Sequence, residues 1–320
     1  MHRRSLLKAS AASLLAPLHA VAQDKPITIV VGFSAGSAPD IAARFVANHL
    51  PGALDGRNVI VDNRPGAGGQ LAFAALKQAP TDGSVLAFVP SNLLTIFPSI
   101  YSKLPYEAKD VTPIVTACTF DFALVVSNDH PARTLGEFVE WAKANPKQAS
   151  IGNPGLGTPQ HFFGWTFGGA AGVEFEAVPY RSTPQMAQEV AGGQVAAAIA
   201  AQPVFIELVR AGKLRMLATT GDTRSTVFPN VPTFAEAGFP ALRSVEWFGF
   251  FGRAGTPQAV LDRFAKAVRE VVQRNDVRAQ LQGMGFTAVA HDAQWLNNVI
   301  RADFDRWADV VRRTGFKAES

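Results

Sequence analysis

The fold class predicted by the sequence is α/β in two domains, with mostly parallel sheets carrying helices on both faces. Three observations predict it. Short β-branched runs alternate with helical patterns along the chain after residue 22. Gly, Pro, Asn or Asp bounds each run. Beyond an N-terminal targeting segment about 298 residues remain, enough for two domains of ordinary size. No internal repeat and no low-complexity tract interrupts the rhythm.

Taken in order, the chain begins MHRRSLLKASAASLLAPLHAVAQD. Arg3, Arg4 and Lys8 precede a short apolar run that ends at Ala20-Val21-Ala22, the pattern of a signal peptide cut after Ala22. The run is too short and too interrupted for a membrane anchor, which needs roughly 20 apolar residues. RRSLLK matches a twin-arginine signal, but paired arginines also occur in ordinary Sec signals, so export is expected by either route. Strands are expected at 27 to 31, 58 to 62, 85 to 89, 123 to 127, 149 to 153, 174 to 178, 195 to 200 and 214 to 220. Helices are expected between them, including 39 to 50 and 135 to 144. Near the C-terminus Thr256-Pro257 opens a helix striped by Val260, Leu261, Phe264, Val268, Val271 and Val272. A second is striped by Trp295, Val299, Ile300, Phe304, Trp307 and Val311, and both stripes should pack back onto the first domain.

Composition excludes several functions. The formal charge of +4 falls to about +1 once the three basic residues of the leader are removed, so nucleic acid is not an expected partner. The single cysteine, Cys118, lies in an apolar segment with no partner for a disulfide and reads as buried and inert. His49, His130, His161 and His291 are scattered, with no metal-binding spacing, so neither metal nor cofactor is expected.

Two glycine-rich turns share one plan. VVGFSAGSAPD and SIGNPGLGTPQH each run from a strand through small residues into a helix with proline in its first turn. Helix N-termini present unpaired N–H donors and the positive end of the dipole, so each turn can hold a carboxylate. Gly36, Gly155 and Gly157 would let a ligand approach the backbone closely. One such turn in each domain would clamp a ligand with two anionic ends in the crevice beyond the strand ends. The first turn offers the N–H groups of Ser34, Ala35, Gly36, Ser37 and Ala38, with Ser37 adding a hydroxyl. His161 falls in the first turn of the second helix, where its ring could donate to an anion or simply pack. Ser91, Asn92 and Ala200, at or just past the ends of strands 85 to 89 and 195 to 200, complete the candidate set.

Two catalytic readings of these turns are weak. Gly32-Phe33-Ser34-Ala35-Gly36 matches the nucleophile elbow of a serine hydrolase, but it follows the first strand after the leader, where that fold's upstream strands and oxyanion loop cannot precede it. Gly155-Leu156-Gly157 imitates a dinucleotide fingerprint with Gln160 where the third glycine belongs. NRPGAGG at 63 to 69 lacks the G-K-[ST] ending of a phosphate loop, and Asn63 and Arg64 read as holding a turn. Arg44 can pair with Asp40 four residues earlier.

With NRPGAGG, LPYEAKDVTPIV at 104 to 115, VPYRSTPQM at 178 to 186, GKLRMLATT at 212 to 220, PNVPTFAEAGFP at 229 to 240 and AGTP at 254 to 257, the chain resembles the Bug family. These are the substrate-binding proteins of tripartite tricarboxylate transporters. The resemblance implies a type II periplasmic binding-protein fold, two α/β domains with a ligand cleft between them. It places domain 1 at 23 to 121 and 244 to 320, domain 2 at 122 to 243, and hinge strands near 122 to 126 and 246 to 251. It implies no enzymatic activity and a periplasmic monomer. That monomer would capture a small organic carboxylate and deliver it to membrane transporter subunits, or report its occupancy to a signalling receptor. Carried over from the family, Phe33, Gly36, Asp40, Gly157, Thr158 and His161 face the ligand.

The chain departs from the family at Gly32, where a proline is usual, at Ser37, where a second glycine is usual, and at Ala196, where many relatives have Asp. If that Asp receives a cationic group, Ala196 disfavours amino acids and leaves a dicarboxylate or monocarboxylate. Phe33, Phe122, Phe162, Phe163 and Trp247 would leave room for an aromatic acid, although such residues more often pack cores.

Overall fold

The structure is a computed structural model that describes residues 25–318. The expected signal peptide, 1 to 22, lies outside the described residues. The strands are β1 (Ile27–Val31), β2 (Val59–Asn63), β3 (Val85–Pro90), β4 (Val111–Ser127), β5 (Ser150–Asn153), β6 (Glu176–Pro179), β7 (Ala197–Ala201), β8 (Leu214–Thr219), β9 (Val245–Arg253) and β10 (Thr287–Ala288). The α-helices are α1 (Ala38–His49), α2 (Gln70–Lys77), α3 (Asn92–Thr95), α4 (Phe97–Ile100), α5 (Leu135–Ala144), α6 (Pro159–Ala171), α7 (Thr183–Ala191), α8 (Ile206–Arg210), α9 (Gln258–Gln273), α10 (Asn275–Gly283) and α11 (Ala293–Thr314).

Every expected strand is present, but the sheet is less parallel than its α/β rhythm suggests. Strand order is β2-β1-β3-β9-β4-β7-β5-β6, with β8 and β10 also pairing β4. The outer triplets, β2-β1-β3 and β6-β5-β7, are parallel; every pairing of β4 and β9 is antiparallel. Parallel pairing follows from strand–helix–strand crossovers. The antiparallel centre comes from one long strand that both halves share. Residues 111 to 121 of β4 pair with β9, and residues 122 to 127 pair with β7 and β8.

That pairing relocates the chain crossings. The segment 122 to 126 lies wholly in the second sheet, and 246 to 251 lies wholly in the first, within β9. The chain changes sheet between Asp121 and Phe122 and again at Ser244. Thr220 ties the two crossings together: its Oγ1 accepts from Phe122 N (2.9 Å) and donates to Ser244 O (2.6 Å).

Both faces of the sheet are covered, so most residues of β4 and β9 are buried instead of alternating with exposed ones. The buried stripe of α9, Leu261, Phe264, Val268, Val271 and Val272, belongs to the core built on β1, α1 and β4. Leu296, Trp307 and Val311 of α11 join a second cluster with Phe97 and Ile100. The two C-terminal helices therefore pack on the elements of residues 25 to 121, as their stripes require. Cys118 is fully buried in β4, where desolvation pushes its thiol pKa far up and leaves it inert. Among the described residues no helix is long and apolar enough to cross a membrane, and no cluster of three His, Cys, Asp or Glu could hold a metal ion.

Candidate functional site

A cleft with about 520 Å³ of empty space, the open solvent at its mouth included, lies beyond the carboxyl ends of β1, β3, β5, β6 and β7. Its walls come from both halves of the molecule. Phe33, Ser37, Ala38 and Pro39 contribute from the first turn, and Pro90 and Asn92 from the end of β3. Pro154, Thr158, Pro159 and Gln160 face them from the second turn, with Thr183, Ala200, Ala201 and Val204. Phe120, Phe122, Glu246 and Phe248 form the floor on β4 and β9, Phe120 and Phe248 stacked at 4.3 Å.

Three helices of useful length, α1, α6 and α7, point their N-termini at this cleft. Two of them follow the glycine-rich turns. The third begins at Ser182-Thr183-Pro184, where Ser182 caps the helix and Pro184 sits in its first turn. Its signal, a hydroxyl residue and proline after a strand, is the one that marked the other two.

The two glycine turns are built alike. Gly36 and Gly157 both have positive φ, 78° and 75°. In each turn the glycine N–H is taken by a side chain four residues on. Gly36 N donates to Asp40 Oδ2 (2.8 Å), and Gly157 N donates to His161 Nδ1 (3.2 Å). Both glycines also meet the opposite half of the molecule. A Cβ on Gly36 would come within 3.3 Å of Pro184 Cγ, and one on Gly157 would collide with Ile100 Cδ1. The turns thus form the two lips of the cleft.

This construction sorts the candidate residues. Phe33, Ser37, Ala38, Asn92, Thr158 and Ala200 line the cleft. Ala35 and Gly36 are exposed on the outer lip, and Ser34 is half-buried beside them. Ser34 Oγ has no hydrogen-bond partner among the described residues, so no base activates it and the nucleophile elbow is a coincidence of sequence. Asp40 lies behind the loop, with Oδ1 accepting from Arg44 Nε and Asn63 Nδ2, each at 2.8 Å. It shapes the turn rather than facing a ligand. Asn63 also donates to Phe33 O (3.0 Å), which gives NRPGAGG its role as a brace. His161 accepts at Nδ1 and packs its ring on Phe162 and Phe316, so it too supports its loop; burial depresses its pKa and keeps it neutral. Gly155 O accepts from Thr158 Oγ1 (2.7 Å), and Ser91 lies one layer beneath the wall.

Three buried polar atoms on the lining have no partner among the described residues: Ser37 Oγ, Asn92 Nδ2 and Thr183 Oγ1. Their residues are 2 %, 2 % and 8 % exposed. A buried unpaired donor costs about 1–3 kcal/mol, and three of them fall on this one cavity. Ser37 is the N-cap of α1 yet makes no capping bond, which leaves its hydroxyl free for the cleft. Among the described residues no Lys, Arg or His lines the cavity; Glu246 is its single ionisable group.

Of the expected aromatics, Phe33 and Phe122 line the cleft. Phe162 packs against Trp307 and Phe316, Phe163 against Phe122 and Phe234, and Trp247 against Phe251. Phe120 and Phe248 supply the floor instead. Ala196 borders a separate surface basin with Ser150, Glu176 and Gln194, so its identity carries nothing about a ligand in this cleft.

Gly32 is explained by close packing. A Cβ there would lie 2.6 Å from Gly69 Cα, backbone that cannot yield. Gly32→Ala should therefore lower stability by about 1–3 kcal/mol and displace Phe33 from the cleft. Urea unfolding checks the first effect, and an unchanged midpoint would show that the backbones can part.

The chain matches the family described as "Tripartite tricarboxylate transporter family receptor" over residues 42–316. It is 33 % identical over 291 residues to the Cupriavidus necator "UPF0065 protein in gbd 5'region", covering 87 % of this chain and 86 % of that one. It is also similar to a solved structure described as a periplasmic transporter, with TM-score 0.88 and 29 % identity over 92 % of this chain and 98 % of the other. The R. palustris protein Rpa4515, solved with adipate, aligns with TM-score 0.88 and 27 % identity, covering 91 % of this chain and 98 % of its own.

Proposed function

We infer, from the premise that the chain belongs to the tripartite tricarboxylate transporter receptor family, that its cleft captures a small organic carboxylate for transfer to a membrane transporter. The protein is a solute-binding receptor of a periplasmic family, and not an enzyme. The observation that carries the carboxylate reading is the convergence of three helix N-termini and three unpaired buried donors on one apolar cavity. Neutral donors at helix ends recognise an anion without a counter-charge. An apolar floor asks for a carbon skeleton between polar ends, and a dicarboxylate or an aromatic carboxylate fits both demands. Adipate, held by the similar R. palustris protein, is such a skeleton.

One ligand end would meet α1 and Ser37, and the other the N-termini of α6 and α7. The halves 23 to 121 with 244 to 320, and 122 to 243, would close by a hinge at Asp121–Phe122 and Ser244, the crossings that Thr220 joins. The closed form would dock on the transporter as a monomer after export by a Sec or twin-arginine signal.

A thermal-shift screen tests this reading against aliphatic dicarboxylates, hydroxy-tricarboxylates, aromatic carboxylates and amino acids. A ligand at 100 times its dissociation constant should add about 2.7 kcal/mol to stability. No response to any acid would remove the carboxylate assignment. Thr158→Phe should abolish the response, because the ring would fill the cleft from its second wall. Losing the Thr158 cap, which accepts from His161 N, should cost only about 1 kcal/mol. A variant that folds and still binds would show that ligand does not pass residue 158.

A further inference from the structure

The family reading gives no role to the carboxyl group of Glu246. It lies in β9 opposite Phe120, is 3 % exposed and forms part of the cleft floor beside Phe120, Phe122 and Phe248. Two hydroxyls hold it in place: Ser91 Oγ donates to Oε2 (2.6 Å) and Ser244 Oγ to Oε1 (3.0 Å). Since a carboxyl group has about four lone-pair sites, room for a further bond remains. Next in sequence to Ser91 stands Asn92, which lines the same cavity and whose buried Nδ2 has no partner among the described residues.

A cavity built for anions at three helix ends cannot also hold an ionised carboxylate without repulsion. Either the ligand brings a positive charge or Glu246 holds a proton. Its surroundings favour the proton. Aromatic rings desolvate it, and burial is the largest influence on its pKa, raising it against the two serine hydroxyls. The charges acting on it from α11, Arg306 and Asp303, are paired with each other at 3.0 Å and largely cancel. Asp121, one residue along β4, registers with Val245 and lies against Gly221.

We propose that Glu246 is the specificity-determining residue of this cleft and binds a ligand carboxylate by sharing one proton with it. A protonated Glu246 and the Asn92 amide offer two donors on one wall, which matches the two oxygens of one carboxylate. The second ligand carboxylate goes to the helix ends across the cleft, so the ligand class is a dicarboxylate. Below its folded-state pKa Glu246 already carries this proton; above it the proton comes from solvent on binding and returns to it on release. No bond other than the Glu246 O–H is made or broken. This inference rests on the carboxylate reading above.

Calorimetry with straight-chain diacids of four to eight carbons, in buffers of differing ionisation enthalpy, tests it. At alkaline pH, above the folded-state pKa of Glu246, wild-type protein should take up close to one proton per diacid. Affinity should fall about tenfold per pH unit above the folded-state pKa of Glu246. Glu246→Gln supplies a permanent neutral donor, so its diacid binding should show no proton uptake and none of that pH dependence. Diacid binding at alkaline pH with no proton uptake and undiminished affinity would overturn the proposal and leave the carboxylate reading intact. So would hexanoate binding as tightly as adipate. A Glu246→Gln variant that loses more than about thirtyfold while wild type prefers glutamate would assign Glu246 to a ligand ammonium group instead. If wild type binds no acid of any class, both readings fall together.

Discussion

Replacing Asp40 by alanine should lower stability by about 2–4 kcal/mol and weaken ligand binding at least tenfold, although Asp40 does not reach the cleft. The carboxylate accepts from Gly36 N, Arg44 Nε and Asn63 Nδ2, and the residue is 3 % exposed. Truncation leaves the amide of Asn63 and the N–H of Gly36 without their acceptor. Hydrogen bonds to a charged group contribute about 1.5–3 kcal/mol each, but the Arg44 side chain is half exposed and its ion pair adds little. The loss of affinity follows from the loss of the turn's shape. Gly36 at φ 78° and Ser37 after it are held by that carboxylate, and through them so is the start of α1. Asp40→Asn should fall between, because the amide keeps an acceptor oxygen while losing the charge. Urea midpoints and calorimetric affinities of the two variants, taken together, check both effects. Wild-type affinity in a destabilised Asp40→Ala protein would show that the turn need not be held for the ligand to bind.

Local chemistry was readable wherever short-range rules decide it. The strand at 27 to 31 and the helix at 135 to 144 appear with the expected bounds, because breakers flank the first and Thr134 caps the second. The two glycine turns were found from their order of strand, small residues and first-turn proline. What they do was read less well. Asp40 and His161 turn back on their own loops, and spacing cannot tell a side chain that caps N–H groups from one that meets a ligand. The antiparallel centre was missed for another reason. Residues 111 to 122 and β9 are buried on both faces, so neither shows the alternation that marks a strand, and their pairing joins residues more than a hundred positions apart. Helix α10 buries only Val277 and Leu281, too short a stripe to mark it. Glu246 had no signal of its own; its importance arises where β9 crosses the cleft floor.

The unpaired donors lead to a prediction in which stability and function move in opposite directions. Ser37→Ala, Asn92→Leu and Thr183→Val each remove a buried polar atom that has no partner among the described residues. The desolvation penalty of such an atom is about 1–3 kcal/mol, so the ligand-free variants should unfold at the wild-type temperature or above it. None of the three substitutions removes a helix cap: Ser37 makes no capping bond, and α7 is capped by Ser182, which accepts from Gln185 N. Ligand affinity should nevertheless fall about tenfold to a hundredfold per substitution, the equivalent of one hydrogen bond to a charged group. Ser182→Ala is the matching control, expected to lose about 1 kcal/mol of stability with affinity unchanged. Melting with and without the best acid from the screen separates the two effects. If the three variants lose stability and keep affinity, the donors are part of the scaffold and the ligand lies elsewhere. If they gain stability and lose affinity, their hydroxyl and amide groups are retained at the expense of the empty protein because the ligand completes their hydrogen bonds.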